Sequence, residues 1–172
     1  ETAQGKYPVE AVTAMDKIAR RVESSIDYTD KFNKNNIKNF EATDITSAVT
    51  HSACTTAHDL NAGVISTMTL SGRAARAVSK CRPNPMILGC SPKDRTCRQL
   101  NLIWGCTPLK IAEKSNNTTI PELFNSVAEE AVKHGYATEG EVMIFTGGTP
   151  LGITGTTNTI KVGVIGENFV KL

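Results

Sequence analysis

At 172 residues with 40% hydrophobic side chains, the chain is long enough to bury one core, with at most a small appendage, and too short for two full domains. Nineteen Lys and Arg against seventeen Asp and Glu leave a net charge of +2, which excludes long-range attraction to nucleic acid or an anionic membrane and makes any phosphate recognition local. No stretch approaches the roughly 20 apolar residues that span a bilayer, and no charged-then-apolar leader opens the sequence, so a soluble cytoplasmic protein is expected.

In chain order, Val9, Val12, Met15, Ile18, Ala19, Val22 and Ile26 recur at three- and four-residue steps after Pro8, which predicts a first helix over about 8–28. Residues 29–42 are rich in Asn and Lys, with Phe32, Ile37 and Phe40 as the apolar anchors, and read as a connection. From Thr43 a second helix is expected, its buried face made of Ile45, Ala48, Val49, Ser52, Ala53, Thr56, Ala57 and Leu60, with Asn61 and Gly63 as the stop. Val64–Met68 and Met86–Cys90 have strand length and flank a helical stretch over Gly72–Cys81, forming a βαβ unit. A short helix around Lys93–Leu100 and a third strand at Leu102–Trp104 follow.

A longer helix over Pro121–His134 is framed by Thr119 and Glu122, spaced as a capping box, and by Gly135 as a stop. Val142–Phe145 and Ile160–Ile165 are the last predicted strands, joined by a Gly- and Thr-rich loop from Thr146 to Asn158. Strands alternating with helices predict an α/β fold, a three-layer domain with a mostly parallel, roughly five-stranded sheet flanked by helices. The five cysteines, Cys54, Cys81, Cys90, Cys97 and Cys106, are odd in number and lack C-x-x-C spacing, so reduced and mostly buried thiols are expected. The first residue is Glu1, not Met, and the chain is expected to be a piece of a longer protein.

Two loops suit phosphate. Thr69-Leu70-Ser71-Gly72-Arg73 lies between a predicted strand and a helix, where free backbone N–H groups favour an anion. The hydroxyls of Thr69 and Ser71 add donors, Gly72 permits close approach, and Arg73 or Arg76 supplies charge. The second loop, Gly147–Asn158, is longer than a hairpin needs. It has no closing Gly-Lys-Ser/Thr and so gives no support for nucleoside triphosphate hydrolysis. In an open parallel sheet ligands bind beyond the carboxyl ends of the strands, and both loops follow such ends.

The sequence also resembles a known family. Glu1-Thr2-Ala3-Gln4-Gly5-Lys6-Tyr7-Pro8-Val9-Glu10-Ala11-Val12 is similar to the segment that enters the last helix of the catalytic barrel of pyruvate kinases. Thr69–Arg73 and Lys80-Cys81-Arg82-Pro83-Asn84 resemble that family's activator loop and the stretch behind it; Arg98-Gln99-Leu100, Trp104-Gly105 and Thr154-Gly155-Thr156-Thr157-Asn158 fit its later elements. The resemblance implies that residues 1–28 are the last helix of a (β/α)8 barrel, 29–42 a linker, and 43–172 the C-terminal α/β domain of a bacterial-type enzyme. In the parent, phosphoryl passes from phosphoenolpyruvate to ADP in glycolysis, with magnesium and potassium held by the barrel and no cofactor in this chain. No catalytic activity is expected of the chain alone.

The resemblance further implies an allosteric site in which Thr69, Leu70, Ser71, Gly72, Arg73 and Ala74 hold an effector's phosphate. Gly152, Thr154, Gly155 and Thr156 then fold over the effector. The family often has a hydroxyl where Ala74 stands. Members activated by fructose 1,6-bisphosphate commonly carry Trp and Arg in the covering loop, which Thr149–Thr156 lacks. A monophosphate such as AMP, ribose 5-phosphate or glucose 6-phosphate is therefore expected.

His51, Cys54 and His58 fall at helical spacing on the side turned away from the small-residue face, and the resemblance makes them candidates for contact with a second subunit. A helix alone would leave a metal short of ligands, so no metal is expected there. Trp104 is expected as a hydrophobic anchor, His134 as a complement to a helix C-terminus, and Lys110 and Lys114 as a basic rim or solvated charges. The competing readings are a free-standing small sensor or enzyme on the same domain, and a purely structural oligomerisation domain with a silent effector site. Against the former, no Ser/His/Asp or Cys/His grouping with nucleophile spacing is present. Ala74 is the best argument for the latter.

Overall fold

The computed structural model describes residues 2–34, 42, 44–113, 118–150, 153 and 155–167. The elements run α1 (Pro8–Glu23), α2 (Tyr28–Phe32), α3 (Ile45–Asp59), β1 (Val64–Met68), α4 (Arg73–Lys80), β2 (Met86–Ser91), α5 (Asp94–Leu100), β3 (Cys106–Lys110), α6 (Ile120–Lys133), β4 (Val142–Gly148) and β5 (Thr157–Val164). The strands form one five-stranded sheet in the order β3-β2-β1-β4-β5. β1 pairs in parallel with β2 and β4, β2 in parallel with β3, and only β5 runs antiparallel, on β4. The three-layer α/β architecture expected from the sequence is the one observed.

Alternation along the strands builds the two cores. Val64, Leu88, Met143 and Phe145 face Leu123, Phe124, Val127 and Ala131 of α6. Ile65, Ile87 and Ile144 point the other way, toward Ala53, Cys54 and Ala57 of α3 and Val78 of α4. Fully burying side chains of this size contributes about 1.5–3 kcal/mol each, and the Phe124 and Phe145 rings stack with centroids 4.6 Å apart. α5 lies on the same face as α4. Leu100 reaches the backbone of β2 there because residue 89 is glycine: a Cβ at 89 would stand 2.8 Å from Leu100 Cδ1 and 2.9 Å from Cys106 Sγ.

The structure corrects the sequence reading in four places. The first helix stops at Glu23, and the connection after it contains the short helix α2, capped by Asp27, which buries Phe32. Leu102–Trp104 forms part of a turn, and the third strand is Cys106–Lys110, displaced toward the C-terminus. The buried face of α3 is Thr46, Thr50, Ala53, Cys54 and Ala57, whereas Ile45 and Leu60 are 71% and 46% exposed. β4 runs on past Phe145 to Gly148 and β5 begins at Thr157 instead of Ile160, which shortens the expected loop to 149–156.

Candidate functional site

The strand order fixes where a site can form. Going from β1 to β2 to β3 the chain steps outward in one direction; α6 then crosses to the other face and returns the chain to the opposite side of β1 as β4. The reversal lies between β1 and β4, and the loops leaving their carboxyl ends diverge around a crevice there. These are the 69–72 turn and the 149–156 loop. They flank a cavity of about 620 Å³ whose remaining walls come from the ends of β2 and β3 and the start of α6.

Hydrogen bonds to both neighbours hold the 69–72 turn in place. Thr69 N–H donates to the Cys90 carbonyl (2.9 Å), Gly72 N–H donates to Thr69 Oγ1 (2.9 Å), and Thr96 Oγ1 of α5 donates to the Leu70 carbonyl (2.9 Å). Gly72 stands at φ +80°, the left-handed conformation that favours glycine, and is the N-cap of α4 without a capping side chain. The first turn of α4 therefore offers its backbone N–H groups to the cavity side. Ser71 is exposed, and Thr69, Leu70, Ser71, Arg73 and Ala74 all line the cavity. Ala74, where a hydroxyl would add a donor, is buried. Arg73 brings a cation to this side of the cavity, while Arg76, the alternative considered from sequence, does not line it.

Across the opening, the β4–β5 hairpin is clamped at its neck by Asn158. Its Oδ1 accepts from Thr149 N–H and Thr149 Oγ1, both at 2.9 Å, and its Nδ2 donates to the Thr149 carbonyl at 2.8 Å. Gly155 and Thr156 line the cavity as expected of a covering loop, together with Gly148, Pro150 and Ile153. Gly152 and Thr154, also expected there, lie outside the described residues. Lys93 and Glu113 bring one charge of each sign, and Ile111, Ile120 and Leu123 form an apolar wall. Sequence reading did not single out this group, since its members follow two different strands, β2 and β3, or open α6.

Arg73 has a partner just outside the cavity: its Nη2 donates to Asp44 Oδ2 at 2.6 Å. Asp44 is also the N-cap of α3, accepting from Ser47 N–H through Oδ1 at 2.7 Å. The Ser47 N–H and, secondarily, the Arg73 guanidinium hold the Asp44 carboxyl below the usual carboxylate range.

The other candidates separate. Cys54, expected on the face of α3 turned away from the core, is 1% exposed and packs with Val78 and Cys81, because the helix is rotated toward its Thr and Cys side. Contact with Cys81 and burial together raise its thiol pKa well above the ordinary value. His51 and His58 stack on the Phe32 ring of α2, with centroids at 6.3 and 5.6 Å. Trp104 is half-buried, lies under the Arg82 guanidinium at 4.2 Å from the ring centroid, and takes no part in the cavity. His134 caps α6 with Nε2 3.4 Å from Glu130 Oε2. Lys110 is paired with Asp94, and Lys114 lies outside the described residues.

The family profile described as "Pyruvate kinase, alpha/beta domain" matches residues 47–163, which takes in β1 to β4, all but the last residue of β5, and both cavity loops. The chain belongs to the pyruvate kinase alpha/beta domain family. It is 38% identical to a pyruvate kinase of Clostridium acetobutylicum over 96% of its own length. Over 99% of its length it is 36% identical to one from Sporosarcina psychrophila and 40% identical to one from Staphylococcus aureus. The chain spans only 34%, 28% and 28% of those three relatives. What it shares with pyruvate kinases is thus their alpha/beta domain and a segment before it. Among the described residues no helix is long and apolar enough to cross a membrane.

Proposed function

We propose that this chain is the allosteric effector-binding and subunit-contact domain of a cytoplasmic pyruvate kinase, and that a phosphorylated small molecule binds between the Thr69–Arg73 turn and the Gly147–Thr157 loop. The observation that carries the proposal is the cavity at the strand-order reversal, lined on one side by an uncapped helix start with Ser71 and Arg73, and on the other by the hairpin. Its 620 Å³ match a nucleotide- or sugar-phosphate-sized ligand. With Arg73 close to the phosphate turn and neither Trp nor Arg in the hairpin loop, a monophosphate such as AMP, ribose 5-phosphate or glucose 6-phosphate is favoured over fructose 1,6-bisphosphate.

In this reading the transfer of phosphoryl from phosphoenolpyruvate to ADP, with its magnesium and potassium, belongs to the part of the protein outside this chain. The effector acts by binding the active arrangement more tightly than the inactive one. Residues 1–28 then belong to the catalytic barrel. In support, α1 buries none of its residues, and Val9, Val12, Met15, Ile18 and Val22 form an apolar stripe in which each is more than half exposed. Self-association through the face of α3 bearing His51 and His58 completes the proposal.

The test is calorimetric titration of the chain with AMP, ribose 5-phosphate, glucose 6-phosphate and fructose 1,6-bisphosphate, repeated with Ser71→Ala. Saturable binding of a monophosphate, weakened at least about tenfold by the substitution, is expected. Absence of binding to all four sinks the reading.

A further inference from the structure

Resting on that reading, we infer that Asp44 is a built-in competitor for the effector's phosphate: it occupies the Arg73 guanidinium when the site is empty and thereby sets the affinity of the cavity. Arg73 is placed to serve two anions. It opens α4 and lines the cavity, yet its Nη2 is drawn 2.6 Å from Asp44 Oδ2, an oxygen that is not part of the cavity wall. The two carboxylate oxygens have separate tasks, Oδ1 accepting the Ser47 N–H at 2.7 Å and Oδ2 taking the guanidinium. Release of Arg73 leaves the cap of α3 intact, so the latch can open without unravelling the helix that packs Ala53 and Ala57 into the core.

The movement is short. Arg73 Nη1 already faces the hairpin at Gly155, where a Cβ, were there one, would sit 3.6 Å away. Both partners are about half exposed, with side-chain exposures of 56% and 45%, so the pair is a weak surface ion pair and a phosphate can displace it. A dianion that accepts two guanidinium N–H groups side by side is the stronger partner. Arg73 therefore exchanges Asp44 for phosphate when the effector enters, and the cost of breaking the first contact is subtracted from the affinity of the second. The same exchange couples the cavity to the start of α3, the helix on which His51 and His58 meet α2.

The experiment is calorimetric titration of the chain with AMP and, separately, with inorganic phosphate, comparing wild type, Asp44→Asn, Asp44→Ser, Arg73→Gln, the Asp44→Asn/Arg73→Gln pair and Ser71→Ala. Asn and Ser both serve as N-caps, so the two Asp44 variants keep α3 while removing the charge. Each is expected to bind AMP about three- to fivefold more tightly than wild type, the range of an exposed ion pair. The gain must vanish when Arg73 is already Gln, since the competition acts only through that guanidinium. Unchanged or weaker binding in both Asp44 variants, with Ser71→Ala still weakening binding at least about tenfold, overturns the latch and leaves the effector site standing. A gain that persists in the double variant also overturns it, because general removal of negative charge then suffices. No binding by any variant overturns both the latch and the site.

Discussion

Gly148→Ala is the most direct probe of how the hairpin meets the cavity. Gly148 is a residue of β4 at the irregularity in its pairing with β5, and both it and Thr156 line the cavity. A Cβ at 148 would lie 2.8 Å from the Thr156 carbonyl oxygen and 3.0 Å from its carbon, and would run into Thr156 Oγ1. Ordinary contact begins at 3.4 Å, so the backbone at the entry to β5 has to retreat by about half an ångström. Backbone cannot swing aside as a side chain does. Overpacking of this kind costs about 1–3 kcal/mol, while replacing glycine returns about 0.4–1 kcal/mol through the unfolded chain. The expected net loss is about 1–2 kcal/mol, read as a lower urea midpoint with unchanged slope. Because the displaced segment is the cavity wall, AMP affinity is expected to fall by about tenfold. A variant as stable as wild type that also binds AMP equally well would refute the reasoning, since the two walls would then be free to part at no cost.

Two further perturbations test the body of the domain. Thr146 is fully buried on β4, and its Oγ1 has no hydrogen-bond partner among the described residues; Thr146→Val keeps the shape and is expected to stabilise the fold by about 1 kcal/mol in urea, whereas a loss would mean that the hydroxyl is satisfied. Burial pushes the Cys90 thiol up to about 12 and the Cys106 thiol up to about 11 from 9.0. Since the raised values favour the neutral thiols in the fold, their contribution is complete below pH 9 and is lost as pH rises through 11 to 12. Thermal melts should hold steady up to about pH 9 and fall beyond it, with a shallower fall in a Cys90→Ala/Cys106→Ala variant; equal slopes in both proteins would exclude the thiols as the cause.

Legibility followed the strength of the local signal. The capping box of Thr119 and Glu122 and the stop at Gly135, which stands at φ +70°, placed α6 to within a residue at each end. β1 and α4 were equally plain, an apolar run followed by a glycine turn. β3 was misplaced because its sequence, Cys-Thr-Pro-Leu-Lys, carries a proline and a lysine, while Leu102-Ile103-Trp104 beside it is apolar. An edge position resolves the conflict: among the described residues β3 pairs only with β2, so a residue without an N–H can be accommodated on its other side. On α3 the hydrophobicity scale misled in the same way. Thr50 Oγ1 donates to the Thr46 carbonyl at 2.7 Å, which satisfies the hydroxyl within the helix and lets threonine be buried as hydrocarbon, while Ile45 is left in solvent. The Asp44–Arg73 pair joins residues twenty-nine positions apart, and no spacing rule reaches across that interval.

The place of the site and its chemistry have separate causes. Its place follows from strand order alone: any sequence that lays down β3-β2-β1-β4 in parallel must open a crevice between the ends of β1 and β4. Its chemistry is carried by a few side chains that the fold does not require. Ser71, Arg73 and Lys93 are all exposed and could be replaced without disturbing the core, whereas Leu123 both walls the cavity and packs on the sheet. If the cavity binds the proposed effector, ligand preference is accordingly free to change along the polar rim and constrained along the apolar wall. Substitutions at Ser71 and Arg73, and the cap-preserving changes Asp44→Asn and Asp44→Ser, should therefore redistribute affinity among phosphorylated ligands at little cost in stability. A change at Leu123 should cost both, because the contact that shapes the cavity is also one that holds α6 to the sheet.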